Sequence, residues 1–131
     1  MHNGIGGETR YRLIDNRQRQ QTDIDLKARG NDQTIRRGKL LIANAVNVDA
    51  LLDRLPYSTV VLDDHRQIIA ANQRLLESVG RASLEGILGL RPGELFHCIH
   101  SKETPWGCGT SQACSFCGAG QTVLITLTSR R

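Results

Sequence analysis

Residues 58–80 read STVVLDDHRQIIAANQRLLESVG. Ser58 to Leu62 and Gln67 to Ala71 are two short β-favouring runs, and the Asp63-Asp64-His65-Arg66 cluster between them has the polar composition of a hairpin connection. Asn72 follows the second run directly, where its side chain can cap a helix over residues 73 to 79. Leu75, Leu76 and Val79 share one face of that helix, and Gly80 suits the left-handed position just past its end. Strand, turn, strand and capped helix predict a mixed α+β domain. In this setting Asp63 and Asp64 are turn formers rather than a catalytic carboxylate pair.

Upstream, Leu40, Leu41, Ala45, Val48, Leu51, Leu52 and Leu55 recur at helical spacing until Pro56 stops the run. This predicts an amphipathic helix over residues 39–56, suited to relay a signal and, through 39–55, to pair two copies of the chain. Residues 1–38 are rich in Arg, Gln, Asp and Asn, open on Gly4-Ile5-Gly6-Gly7 and break at Gly30-Asn31-Asp32. They read as a polar mobile leader carrying at most a frayed helix over 10–29. The opening glycines follow no strand and precede no hydrophobic helix, so they do not form a phosphate loop. Downstream, Ser83 is placed to cap a turn that points Leu84, Ile87 and Leu88 inward. Pro92 suits the first position of another short helical turn, with Glu94 bonding Arg91 or a nearby N–H.

The totals bound the function. A chain of 131 residues has room for one ordinary domain. With 39% hydrophobic and 4% aromatic residues, and a mean hydropathy of −0.33, it can build a modest aliphatic core. No apolar run approaches the ~18 residues of a spanning helix. The N-terminus lacks the apolar stretch of a secretory signal, so a cytoplasmic location is expected, where thiols stay reduced. The net charge of +4 is concentrated at the N-terminal end: residues 1–37 hold eight Lys/Arg against five Asp/Glu, and the rest hold nine against eight. A near-neutral remainder with one Trp, two Tyr and two Phe argues against a nucleic-acid reader, which needs a basic face with stacking aromatics.

All four cysteines lie between residues 98 and 117, and with His100 they are spaced C-x-H-x7-C-x5-C-x2-C. Cys114 and Cys117, two residues apart, can point both sulfurs at one ion. Gly118 would allow a turn whose amides donate to the thiolates, and Gly107 and Gly109 give Cys108 similar freedom. Three readings of the metal candidates Cys98, Cys108, Cys114, Cys117 and His100 compete. The first is structural zinc, with His100 as a substitute or supporting ligand. The second is an iron–sulfur cluster, and the third is metal-free thiols with Cys114 and Cys117 as a redox pair. Four cysteines among glycines are not well explained as small buried hydrophobes. A c-type haem does not fit, because Gly118 stands where the attachment motif needs His. Arg91, Lys102 and His100 are near enough in sequence to offset the charge of a tetrathiolate site, and Trp106 is placed to cover the loop.

The helix, the strand pair and the asparagine-led third element of VVLDDHRQIIAANQRLL resemble the first half of a PAS domain. Residues 88–121, LGLRPGELFHCIHSKETPWGCGTSQACSFCGAGQ, resemble more narrowly a cysteine-containing subgroup of bacterial PAS sensor modules, with its RPGE, GCGTS and CxxCGA segments in order. The resemblance implies an antiparallel sheet with short helices on one side, preceded by the amphipathic helix, with 57–131 as a partial domain. It also implies a helix near residues 121–126 and about 35 to 40 further residues of strand that this chain lacks. The function it implies is a sensory input joined to a histidine kinase or another signalling output. Rival expectations are an iron–sulfur or thiol redox sensor and a small zinc-ribbon-like nucleic-acid binder. No enzyme is expected, since the chain has no nucleotide-binding motif, phosphoacceptor-histidine helix or acid/base pair.

Overall fold

The structure, a computed structural model, describes residues 10–14, 21–45 and 47–129. It is α+β and divides into two compact units, one of residues 29–98 and one that joins the chain up to Ala28 with the chain from Ile99 on.

The 29–98 unit is built around the expected hairpin. β3 (Val60–Leu62) pairs antiparallel with β4 (Ile68–Ala71), with a register shift between Val61 and Leu62. The connection closes on Asp63, whose carboxylate Oδ1 accepts the backbone N–H groups of His65 and Gln67, each at 2.9 Å. The other edge of β4 meets the segment after residue 88. The Ile68 N–H donates to the Leu90 carbonyl at 2.8 Å, and the Gly89 N–H donates to the Ile68 carbonyl at 2.9 Å.

α3 (Gln73–Ser78) starts as its sequence predicts, with the Asn72 side chain accepting from the Leu75 N–H at 3.0 Å. It ends in the paired bonds of a Schellman motif: Gly80, at φ +69, donates to Glu77 and Arg81 to Leu76. Ser83 makes no capping bond to the 3₁₀ turn Leu84–Gly86. Of the three residues expected inward there, Ile87 is fully buried, whereas Leu84 and Leu88 are half-buried. α4 (Pro92–Leu95) has Pro92 at its first position, and Glu94 accepts the Arg91 backbone N–H at 3.1 Å. The core comprises Ile68, Leu75, Leu76, Ile87 and Leu95, with Val60, Leu62, Leu84 and Leu90 packed around them.

The single helix expected over 39–56 is two helices, and it starts earlier. α1 (Asp32–Ala45) begins at the supposed break, because the Asn31 side chain accepts the Thr34 N–H at 2.8 Å and so caps it. α2 (Val48–Asp53) has its own cap in Asn47, which accepts from the Ala50 N–H at 3.4 Å. Val48 and Leu52 of α2 pack with Ala70, while a Cβ at Gly38 of α1 would lie 3.6 Å from the Ile69 side chain, in ordinary contact. The sheet therefore gathers both helices.

In the other unit, β1 (Arg10–Ile14) and β2 (Gln21–Asp25) pair antiparallel. The frayed helix expected over 10–29 is thus a strand pair. Its register sets Arg10 opposite Asp25 and Ile14 opposite Gln21. The Gly4–Gly7 stretch and the 15–20 segment lie outside the described residues. After two 3₁₀ turns, Ile99–Lys102 and Gln112–Phe116, the chain closes with α5 (Gly118–Ser129), longer than the helix expected near 121–126. Its many Thr and Ser residues fold their hydroxyls back on the helix, Thr122 bonding Gly118 at 2.8 Å and Thr126 bonding Thr122 at 2.9 Å. Among the described residues no helix is long and apolar enough to cross a membrane.

Candidate functional site

Cys98 closes the 29–98 unit. It follows α4, is half-buried, and its backbone N–H donates to the Gly93 carbonyl at 2.8 Å. His97 beside it is exposed, at φ +56. Arg91, expected to balance the charge of the cysteine segment, reaches the hairpin turn. It is fully buried, and its Nε donates at 3.0 Å to the His65 carbonyl in the hairpin turn. Only the fold brings these residues, 26 positions apart, together.

His100, Cys108, Cys114 and Cys117 belong to the other unit. Cys108 is half-buried in a turn where the Thr110 N–H donates to the Gly107 carbonyl at 3.2 Å. Gly107 and Gly109 on either side of it take φ of +85 and +90, so the freedom expected of them is used. The Thr110 hydroxyl bonds the Gly107 carbonyl and the Thr104 hydroxyl, fixing this turn from inside. Trp106 is 37% exposed, with the Lys27 ammonium 4.0 Å from its ring centroid, a cation–π contact in place of an apolar lid.

Cys114 lies in the Gln112–Phe116 turn, whose start is capped by Ser111 accepting the Ala113 N–H at 3.2 Å. Cys117 ends the turn and stands as the residue before α5. Its carbonyl accepts the Gln121 N–H at 2.9 Å, and its sulfur accepts the Gly120 N–H at 3.4 Å. The amide that reaches the sulfur comes from Gly120, two residues past the expected Gly118. Gly118 is simply the first residue of α5, with no positive φ. A Cβ at Gly120 would lie 3.6 Å from the Cys117 Cβ and 3.7 Å from the Cys114 carbonyl, so the Cys117 side chain and the Cys114 backbone border the helix start.

Sequence reasoning missed a hydrogen-bonded network on the same segment. His100 Nδ1 lies 2.7 Å from Glu103 Oε1, and the buried Ser111 donates its hydroxyl to that same oxygen. These two bonds, Ser111 first, hold the Glu103 carboxyl below its ordinary range, with partial desolvation working against them. The His100–Glu103 spacing of three residues was the available signal, because it places the two side chains on one side of a helical turn.

None of the four cysteines is in a disulfide. Among the described residues, the group of three potential ligands with donor atoms within 4.8 Å of one another is Asp63, Asp64 and His65. Asp63 there is already committed to the turn amides, as its sequence context implies. No three of Cys98, His100, Cys108, Cys114 and Cys117 place donor atoms within 4.8 Å of one another, although sulfurs with an imidazole are the donor types zinc takes. The protein is thus an α+β protein with a cysteine-bearing turn at the start of a helix. Comparison with protein-family models, curated proteins and solved structures finds no match to this chain.

Proposed function

We propose that the chain is a cytoplasmic signal-transduction input module of the PAS type, acting on a histidine kinase or similar output, whose cysteine segment binds a thiolate-coordinated metal ion, zinc foremost. The observation that carries the metal reading is the Cys117 sulfur accepting the Gly120 N–H at 3.4 Å, with Cys114 on the turn that leads to it. Amide donation to sulfur at the start of a helix is the environment a bound thiolate needs, since it offsets part of the charge that several thiolates bring to one ion. The PAS reading is supported by the run of paired helices, hairpin and asparagine-capped helix, with α2 packed on β4. Leu40, Leu41, Leu51 and Leu55 of this helical region are exposed and support it as the route to a second copy or an output partner. A monomer in solution scattering would remove the second copy.

Metal analysis and an absorption spectrum of anaerobically purified protein test the metal reading. Stoichiometric zinc with no visible band is the expected result, because the Zn²⁺ d shell is full. A broad visible band with iron and sulfide would replace zinc by an iron–sulfur cluster. Metal-free protein that takes up neither would leave Cys114 and Cys117 as thiols.

A further inference from the structure

We infer that the hairpin turn Asp63-Asp64-His65 is a binding site for a divalent first-row cation of the Mn²⁺ kind, held by one carboxylate oxygen from each aspartate and by Nδ1 of His65. The site lies in the 29–98 unit and does not depend on the cysteine segment.

The observation that carries the inference is His65 Nδ1. The ring is 34% exposed, yet this atom is shut off from solvent and no hydrogen-bond partner meets it. A buried ring nitrogen left without a partner costs free energy, so its orphan state needs a cause. Asp64 Oδ1 lies 3.4 Å away without the alignment of a hydrogen bond. Two donors that share one cation at about 2.0 to 2.2 Å from each, at right to tetrahedral angles, stand about 2.8 to 3.6 Å apart. The imidazole and the Asp64 carboxylate have that spacing, and an Asp63 oxygen completes a set of three donors within 4.8 Å of one another. In the neutral ring with its proton on Nε2, Nδ1 offers the lone pair that a cation takes.

The turn that carries these donors is fixed by its own backbone. The Asp63 N–H donates to the Gln67 carbonyl at 2.9 Å, and the Arg66 N–H donates to the Asp63 carbonyl at 3.0 Å. The buried Arg91 holds the His65 carbonyl at 3.0 Å. Asp63 Oδ1 accepts the His65 and Gln67 N–H groups, which orients the carboxylate without exhausting it, because a carboxylate has about four acceptor sites. Hydrogen-bonded carboxylates are the rule among metal ligands for this reason. Asp64 is 74% exposed, so its side chain can turn onto an entering ion while water fills the remaining positions. Two carboxylates balance the charge of a divalent cation, and oxygen donors with one nitrogen select a harder ion than cysteine sulfurs do. Arg66 and Arg91 bring positive charge to the same turn, which holds the affinity below that of a closed site.

The test titrates the full, reduced chain with Mn²⁺ alone, an ion that thiolates do not favour, and reads paramagnetic broadening in a ¹H–¹⁵N spectrum. The expected result is that the amide signals of residues 62–67 broaden first, with less than one Mn²⁺ per chain. His65→Ala and Asp64→Asn leave the backbone bonds of the turn in place, and each should weaken binding by at least about tenfold, since losing a ligand costs no less than losing its supporting partner. Asp49→Asn, which removes an exposed carboxylate outside the turn, should leave the affinity unchanged. Circular dichroism of the metal-free variants checks that the fold is kept. Broadening that is as strong in His65→Ala as in wild type, or that spreads evenly over exposed acidic residues, would reduce the site to general carboxylate attraction and overturn the inference. So would a turn that stays sharp at about 1 mM Mn²⁺, the weak end of protein sites for hard divalent ions.

Discussion

At Asn72 a single buried side chain does the work of four contacts. Its Oδ1 accepts the Thr59 and Leu75 N–H groups, each at 3.0 Å, while its Nδ2 donates to the Leu52 carbonyl at 3.0 Å and the Tyr57 carbonyl at 2.7 Å. The cap was legible in the sequence, because an N-cap needs only the next three residues. The two donations were not, because they reach back 20 and 15 positions to the end of the helical region. Replacement by Ala removes the cap and takes the Asn72 acceptor from the Thr59 and Leu75 N–H groups, so Asn72→Ala should cost about 2 to 4 kcal/mol in urea denaturation. Asn72→Asp keeps the acceptor and loses the donors, and should fall between Ala and wild type.

The Arg36–Glu85 pair offers a second residue-scale check. Arg36 meets both Glu85 oxygens, at 3.1 and 3.0 Å, and Asp32 through its Nε at 2.9 Å. The Glu85 carboxyl is held below its ordinary 4.5, first by the hydrogen bonds from Arg36 and then by its charge. A carboxyl depressed in the folded state stabilises it fully above the ordinary value and loses that contribution as pH falls through the folded value. Glu85→Gln should therefore lower the thermal midpoint slightly at pH 7, and the gap to wild type should close on acidification below the ordinary 4.5. A gap that is constant with pH would assign Glu85 a packing role instead.

Among the elements, α5 shows most plainly how local preference and context divide. TVLITLTS is rich in β-branched residues that lower helix propensity, yet it is helical from Gly118 to Ser129, with hydroxyls bonded back to preceding carbonyls and Leu124 buried. Its start is capped by the Cys117 sulfur, a weaker acceptor than a carboxylate or hydroxyl. Cys117→Asp should therefore raise the helicity or midpoint of metal-free protein by the equivalent of about 0.5 to 1 kcal/mol, while removing metal uptake. A loss in both would mean that sulfur is needed for the fold itself. The strand pair β1–β2 went unread for the opposite reason: RYRLI and QTDID carry too few apolar residues for alternation to be visible, and their pairing lies in the register.

For the molecule as a whole, the apolar core described above lies in the 29–98 unit, while the cysteine turns in the other unit are held mainly by hydrogen bonds among Ser, Thr, Glu and backbone groups. Metal would stabilise that second unit most. Zinc at about 100 times its dissociation constant should add about 2.7 kcal/mol to the stability of whatever unfolds with the site. Limited proteolysis should accordingly show chelator-dependent cleavage between residues 100 and 117 and little change in the hairpin 58–71. Cleavage that is indifferent to chelator would mean the turns need no ion.

What the sequence determined by itself is local: the β3–β4 hairpin with Asp63 in its turn, the Asn72 cap and Gly80 stop of α3, the Pro92 start of α4, and the cysteine spacing with its glycine hinges. Each rests on bonds that span only a few residues, so neighbouring side chains specify them. Tertiary structure decided the rest. It broke the long helix at Asn47, buried Arg91 with its Nε on the hairpin-turn carbonyl of His65, and joined His100 to the cysteine turn through Glu103. A buried guanidinium and a shared carboxylate oxygen take whichever partners the packed chain brings within hydrogen-bond reach, and spacing along the chain does not record which those are.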